Sequence, residues 1–185
     1  MDSNGNEREQ ANYCYVPSTW AENIVEQAEK DGLRLSYHTP YRLNIHRDEF
    51  CKLAWQTIQT VNPNINLPEL AQPFSDCDED IVRQIAALGI VTGYEDGAFQ
   101  PTRELSRQEA AVILQRLYTV LYGKIEASPT LYADNGSIGV WAKDSVYAMR
   151  QTGIMQGVGA NRFDPKNGYT CEQSIITMLR MTQKA

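Results

Sequence analysis

Two arginines occupy the same position in two related motifs, at residues 46–49 (HRDE) and 106–109 (SRQE). Each motif has the composition of a helix start, where free N–H groups and a positive potential favour anions. A guanidinium there opposes the helix dipole, yet it adds paired donors that fit a carboxylate or a phosphate. Arg47 and Arg107 are therefore candidates to hold an acidic ligand group. The alternative is that each arginine pairs with a carboxylate of a neighbouring unit.

The glutamates of these motifs also have a structural explanation. In a capping box, Ser106 accepts from the N–H of Glu109 while the Glu109 carboxylate reaches back to the N–H of Ser106. Glu49 holds the same position in the first motif. A third copy at residues 170–173 (TCEQ) keeps the cap but has Cys171 in place of the arginine. We expect the site at Cys171 to bind anions poorly.

The motifs recur because the chain itself is repetitive. Residues 93–116 superpose on residues 157–180 at a constant offset of 64, and a fainter copy aligns residues 44–50 with residues 104–110. The repetition predicts a polar N-terminal segment and three units, at residues 1–17, 18–62, 72–122 and 130–183.

Each unit has the pattern of a helix, a glycine turn and a second helix. In the second unit, apolar residues at helical spacing stop at Gly89, which is placed to end the helix in a left-handed conformation. A longer amphipathic helix is predicted from Ser106 to Leu121. Because none of the long helices could bury its apolar face alone, we predict a mainly α fold in which three helix-turn-helix units share one bundle.

Composition excludes several classes of protein. The 185 residues are 42% hydrophobic with a net charge of −6, which fits a globular chain and disfavours nucleic acid as a partner. No apolar run approaches the roughly 18 residues that a membrane helix needs. The N-terminus lacks the pattern of a secretory signal, so we expect either a cytoplasmic protein or a segment of a larger one.

The cysteines do not indicate a metal site. Four of them lie far apart and only two histidines are present, so neither zinc nor any cofactor is expected. Three disulfide connectivities are possible among Cys14, Cys51, Cys77 and Cys171, and the sequence does not choose between them. Cys51 falls on the apolar side of a helical segment, which favours a buried thiol.

Taken in order, these motifs resemble the S-layer homology repeats of bacterial cell-surface proteins. The second unit has FSD at 74–76, LGI at 88–90, GYEDGAFQP at 93–101 and SRQE at 106–109. The third has YAD at 132–134, Trp141-Ala142 and TCEQ, and the first keeps Trp20-Ala21 and HRDE. The likeness covers nearly the whole chain after about Pro17.

The resemblance implies a non-catalytic module that anchors a larger surface protein outside the bacterial cell. Three tandem units would form a pseudo-threefold helical bundle, whose inter-unit grooves bind secondary cell-wall polysaccharide or another peptidoglycan-linked glycan, often pyruvylated. Arg47 and Arg107 would contact the anion, with Glu49 and Glu109 orienting them or capping the helices. Trp20 and Trp141 would stack on sugar rings, the alternative for both being core packing.

Three departures from the family pattern predict at most two competent grooves. The third motif has no arginine, the first unit lacks the G-Y-x-D-G turn, and the second has no tryptophan near Asp78. The competing hypothesis is a protein-interaction scaffold with vestigial grooves, which a large exposed apolar patch and arginines locked in ion pairs would favour. The acidic run at 76–80 resembles a calcium loop but lacks its glycine and its final glutamate. No nucleophile and base occur together in the matched motifs, so we expect no enzymatic activity.

Overall fold

Between residues 22 and 182, in the part of the chain that the structure describes, six α-helices that are alternately short and long form the body of the protein. The computed structural model describes residues 13–36, 39–129 and 131–184. Its helices are α1 (Glu22–Lys30), α2 (Arg47–Val61), α3 (Asp80–Ala87), α4 (Arg107–Tyr122), α5 (Lys143–Gln151) and α6 (Cys171–Thr182), with 3-10 turns at Asn135–Ser137 and Val140–Ala142. The described residues contain isolated β-bridges but no strand, which confirms the mainly α fold class. None of their helices combines the length and hydrophobicity needed to cross a membrane.

The helices pair along the chain into unit 1 (α1 and α2), unit 2 (α3 and α4) and unit 3 (α5 and α6). A glycine follows the short helix of each unit, with φ of +89° at Gly32, +72° at Gly89 and +73° at Gly153. Only glycine adopts this conformation without strain, so each glycine lets the chain leave the helix and turn. The left-handed conformation predicted for Gly89 is confirmed.

A ring of backbone hydrogen bonds joins the three units at the starts of their long helices. The N–H of Ile45 donates to the carbonyl of Tyr169 (2.8 Å), that of Tyr169 to Leu105 (2.9 Å), and that of Leu105 to Ile45 (3.1 Å). These three residues occupy equivalent positions, and each is almost fully buried. Because every unit donates to one neighbour and accepts from the other, the units close into a pseudo-threefold ring.

Helix packing follows the same cyclic order. Each short helix packs against the long helix of the preceding unit, so that α3 contacts α2, α5 contacts α4 and α1 contacts α6. The long helix α2 also packs against α6 and α4, and the apolar faces of the helices join in one core. No unit buries its apolar face by itself, as the sequence predicts.

The structure bears on two smaller predictions from the sequence. Cys51 is fully buried on α2 and is a free thiol, which confirms the interpretation of its position. Cys77 and Cys171 are also free thiols. Of the polar N-terminal segment predicted over residues 1–17, the part up to residue 12 lies outside the described residues.

Candidate functional site: the grooves between units

The arginine of each motif lies beneath the turn of the following unit. Arg47 of unit 1 donates from Nε to the carbonyl of Phe99 (2.9 Å) and from a terminal nitrogen to that of Thr92 (3.1 Å). Arg107 of unit 2 repeats these contacts one unit further on, with the carbonyls of Phe163 (2.8 Å) and Gln156 (2.9 Å). Arg107 also donates to the side-chain amide oxygen of Gln173 (3.5 Å). None of these partners is one of the carboxylates that the ion-pair alternative requires.

Within the described residues neither guanidinium forms an ion pair, so each brings a positive charge to the junction between two units. Arg47 is 8% exposed and Arg107 is 4% exposed. Burial lowers the pKa of Arg107 from its ordinary value. A guanidinium nevertheless stays protonated at neutral pH, because its ordinary pKa lies above about 12. The arginines hold the ring together and also supply positive potential at its surface.

An open groove begins at each of these arginines. The Arg47 groove has a volume of about 260 Å³ and is lined by Arg47, Val91, Thr92, Gly93, Tyr94, Glu109, Val112, Ile113, Arg116 and Trp141. The Arg107 groove has a volume of about 430 Å³ and is lined by Trp20, Arg107, Met155, Gln156, Gly157, Val158, Tyr169, Gln173, Ile176, Thr177 and Arg180. Most lining positions correspond one to one, so the protein contains the same site twice.

Each groove is assembled from all three units. In the Arg47 groove, the arginine comes from unit 1, the turn and one long-helix face from unit 2, and Trp141 from unit 3. The Arg107 groove takes the arginine from unit 2, the turn and helix face from unit 3, and Trp20 from unit 1. A groove of this kind is a property of the closed ring and cannot form within one unit.

The two tryptophans stand at the grooves with most of their surface in solvent. Trp20 is 58% exposed and Trp141 is 61% exposed, so the core-packing alternative is wrong for both. An indole in this position offers a flat apolar face to a ligand. The structure thus brings Trp20 together with Arg107, and Trp141 together with Arg47.

The glutamates serve mainly as helix caps. The carboxylate of Glu109 accepts from the N–H (2.9 Å) and hydroxyl (2.6 Å) of Ser106, and from Arg103 (2.8 Å). Burial favours a raised pKa for Glu109, but the bonds from Ser106 and the charge of Arg103 outweigh it, so the pKa lies below its ordinary value. Glu109 remains ionised in the Arg47 groove.

The expected pairing of each glutamate with the arginine of its own motif differs from the structure. Glu109 lines the groove of Arg47, whereas the Arg107 groove has the neutral Gln173 at the same place. Glu49 accepts from the N–H of His46 (3.1 Å) and lines neither groove. The reason is the ring, which places each long helix against the arginine of the preceding unit.

Each groove contains a second cation that the sequence did not predict as a site residue. Arg116 and Arg180 lie on the long helices nearly three turns after the N-caps Ser106 and Thr170, at equivalent positions of the repeat. Arg180 donates to the carbonyl of Ile154 (3.2 Å), and Arg116 has no hydrogen-bond partner within the described residues. Their alignment with each other in the repeat comparison was the available signal. With them, the charged groups lining the Arg107 groove are both positive, while Glu109 offsets one of two cations in the Arg47 groove.

In units 2 and 3, an aspartate holds the turn that forms the groove wall. Asp134 accepts from the N–H groups of Phe163 (2.9 Å) and Asp164 (2.8 Å), and Asp76 does the same for Phe99 (2.7 Å) and Gln100 (2.8 Å). Gln100 and Asp164 have positive φ, at 56° and 59°. Paired N–H donors to one carboxylate explain how non-glycine residues keep this strained conformation.

Comparison with known proteins agrees with this architecture. The sequence pattern of the S-layer homology domain matches residues 75–111 and 136–168, which contain the turns of units 2 and 3. Two segments of the chain thus match the S-layer homology domain. The first match begins at the second residue of FSD and includes the GYEDGAFQP motif of unit 2, as well as the start of its long helix.

Curated relatives match this chain over a small part of their own length. An endoglucanase of Bacillus sp. (strain KSM-635) is 32% identical over 107 residues, which are 55% of this chain and 11% of that enzyme. An S-layer protein of Bacillus thuringiensis subsp. finitimus is 33% identical over 100 residues, or 54% of this chain and 12% of the relative. The S-layer protein sap of Bacillus anthracis gives 32% over 100 residues, with the same two shares. The shared segment is thus found in both enzymes and surface-layer proteins.

Proposed function

We propose that this protein is a cell-wall anchoring module that binds acidic secondary wall polysaccharide in the Arg47 and Arg107 grooves. The observation that carries the proposal is the duplicated groove, in which a buried arginine, a second cation and an exposed tryptophan recur at matching positions. Cations match a carboxylate such as that of a pyruvate ketal, and an indole face matches a sugar ring. The S-layer homology domains and the S-layer relatives support anchoring at the cell surface.

We further propose that unit 1 is a third repeat, so that the repeats span residues 18–62, 72–122 and 130–183. Its contribution to the hydrogen-bonded ring supports this assignment, because Ile45 bonds to both of its counterparts. Such a module would serve as the non-catalytic part of a larger surface protein. The small share of each relative that this chain covers is consistent with that role.

The Arg107 groove should be the stronger of the two sites. It is larger, and its two cations face the neutral Gln173, whereas Glu109 opposes an anion in the Arg47 groove. A like-charged carboxylate near a bound anion weakens binding even in a partly solvated groove. We therefore assign the principal contribution to Arg107, Arg180 and Trp20.

Co-sedimentation with cell-wall sacculi that retain or lack their secondary polymer tests the proposal. Wild type should sediment only with the polymer-bearing walls, and Trp20→Ala should weaken binding by about tenfold, as expected for one lost aromatic contact of roughly 1.4 kcal/mol. Trp141→Ala should have the smaller effect. Because both side chains are largely exposed, neither substitution costs much stability.

The matched control for the groove cations is Lys124→Ala, which removes an exposed positive charge from the connector between units 2 and 3. Arg180→Ala should weaken binding and Lys124→Ala should not. Equal sedimentation with stripped and intact walls would refute polysaccharide recognition and would favour the protein-interaction scaffold. Mild acid tests the pyruvylated form of the ligand, because it hydrolyses the ketal, releases the pyruvate with its carboxylate and leaves two free hydroxyls on the sugar.

A further inference from the structure

A separate polar pocket lies at the turn of unit 3. This Arg150 pocket has a volume of about 400 Å³ and is lined by Tyr132, Arg150, Asn161, Arg162 and the glycine-rich turn that includes Gly157 and Gly159. It shares Gln156 and Gly157 with the Arg107 groove. The two cavities therefore adjoin at these two residues.

The pocket has an excess of positive charge. Arg150 makes one side-chain hydrogen bond, to Asn161 (3.3 Å), and its guanidinium lies 4.4 Å from the centre of the Tyr132 ring. Arg162 is 57% exposed, and its Nε is 3.7 Å from the carboxylate of Asp134. That carboxylate is already bonded to the N–H groups of Phe163 and Asp164, so its charge is shared with those donors. Within the described residues, neither terminal nitrogen of Arg162 has a hydrogen-bond partner.

Unit 2 lacks the same groups at the corresponding positions. The repeat places Ala86 opposite Arg150, Ala98 opposite Arg162, and Phe74 opposite Tyr132. The fold of a unit thus requires neither the two cations nor the hydroxyl. Their presence together in unit 3 calls for a different explanation, and all three lie around one cavity.

The hydroxyl of Tyr132 gives an independent indication. Tyr132 is 4% exposed, and its hydroxyl has no hydrogen-bond partner within the described residues. A buried hydroxyl without a partner costs about 1–3 kcal/mol, so such groups are rare unless something binds them. Phenylalanine at the corresponding position of unit 2 shows that the ring alone satisfies the packing.

We propose that the Arg150 pocket is a second anion subsite, which takes a carboxylate or phosphate group from the next sugar of a polymer already held in the Arg107 groove. This inference rests on the proposed function. The shared wall at Gln156 and Gly157 provides the route by which one chain reaches both cavities. Arg150 and Arg162 supply charge-assisted donors to the bound anion. An oxygen of that anion displaces the Arg150 side chain from the Tyr132 ring and accepts a hydrogen bond from the Tyr132 hydroxyl.

Two variants test the subsite without threatening the fold, because both restore residues that unit 2 uses. The first is the double substitution R150A/R162A, and the second is Tyr132→Phe. Calorimetry with wall polysaccharide fragments compares a single acidic sugar with fragments of several repeating units. Wild type should bind the longer fragments about tenfold more tightly than the single sugar, as one added charge-assisted contact predicts. The double variant should lose that gain and keep its affinity for the single sugar.

Tyr132→Phe separates a binding role from a packing role. If the hydroxyl contacts the ligand, the variant should bind long fragments about threefold more weakly, a change of the size of one neutral hydrogen bond. If the hydroxyl is only an unpaired group, the variant will melt at a higher temperature with unchanged affinity, and the assignment of Tyr132 is then overturned. Wild-type affinity of R150A/R162A for every fragment would overturn the subsite as a whole.

Titration with inorganic phosphate distinguishes this failure from failure of the proposed function. Amide resonances of Gly159 and Asn161 should shift in wild type and remain unchanged in R150A/R162A. Phosphate shifts without binding of any wall fragment would refute the polysaccharide function while leaving an anion site in the pocket. A wild type that binds wall fragments of all lengths equally and shows no phosphate shifts would refute the subsite alone. Because inorganic phosphate is added without any sugar, the shifts that it causes report binding of phosphate and not of the carboxylate of the glycan.

Discussion

Replacing Arg107 by alanine should destabilise the protein, because this side chain joins units 2 and 3. It removes the charged donor to the carbonyls of Phe163 and Gln156, at 2.8 Å and 2.9 Å. Loss of a hydrogen bond to a charged group costs about 1.5–3 kcal/mol. Gln156 is exposed, so water can replace the donor there, and we expect a total loss of about 3 kcal/mol.

Urea unfolding of Arg107→Ala measures this loss, and the melting temperature should fall by about 6–12 °C for a chain of this size. The control is Arg180→Ala, which lies in the same groove but makes a single bond of 3.2 Å to the carbonyl of Ile154. We expect that variant to lose about 1 kcal/mol or less. If Arg107→Ala unfolds within about 0.5 kcal/mol of wild type, the structural role assigned to the guanidinium is refuted. Binding assays of Arg107 variants must be corrected for this loss of folded protein.

Three further predictions concern unit 3. A Cβ on Gly157 would lie 2.6 Å from the carbonyl oxygen of Arg162, so Gly157→Ala should lower the free energy of unfolding by about 1–3 kcal/mol. In the same denaturation assay, Gly136→Ala should be nearly neutral, because a Cβ there meets no atom within 4 Å. Burial raises the pKa of Asp134, but bonds from two N–H groups outweigh it and hold the pKa below its ordinary value. The stabilisation by Asp134 is therefore complete above the ordinary aspartate pKa of about 3.9, and it is lost as the pH falls through the lower pKa of the folded state. When the free energy of unfolding is measured from pH 6 to pH 2, Asp134→Asn should lack this part of the acid dependence. Burial raises the pKa of Cys171 to about 12, so alkylation at pH 8 should be slow in the native protein and fast in urea, as followed by mass spectrometry.

Local features of this fold were accessible from the sequence because they depend on neighbouring residues. The left-handed conformation at Gly89, the helix that begins at Ser106 and the cap formed by Glu109 all follow from short-range patterns. Internal repetition then indicated how many helix pairs share the core. These predictions required only periodicity, turn chemistry and the need to bury apolar faces.

Contacts across units could not be read from the repeat alone. Alignment of equivalent positions suggested that Arg107 and Glu109 act together, but in the closed ring Glu109 lines the groove of Arg47. The exposure of Trp20 was equally inaccessible, because a tryptophan near a helix start suits a core as well as a surface. The Tyr132 hydroxyl lies in a family position that accepts phenylalanine, so no pattern distinguished it.

The way in which three units contribute to each groove has a consequence for the evolution of the chain. Natural selection for ligand binding acts on a groove, and a groove takes its cation, its turn and its tryptophan from three different copies of the repeat. By the cyclic order, the third groove would need an arginine where Cys171 lies, a glycine-rich turn in unit 1 and a tryptophan in unit 2, and all three are missing. Three scattered departures from the family pattern thus amount to the loss of one groove, while the other two were kept intact.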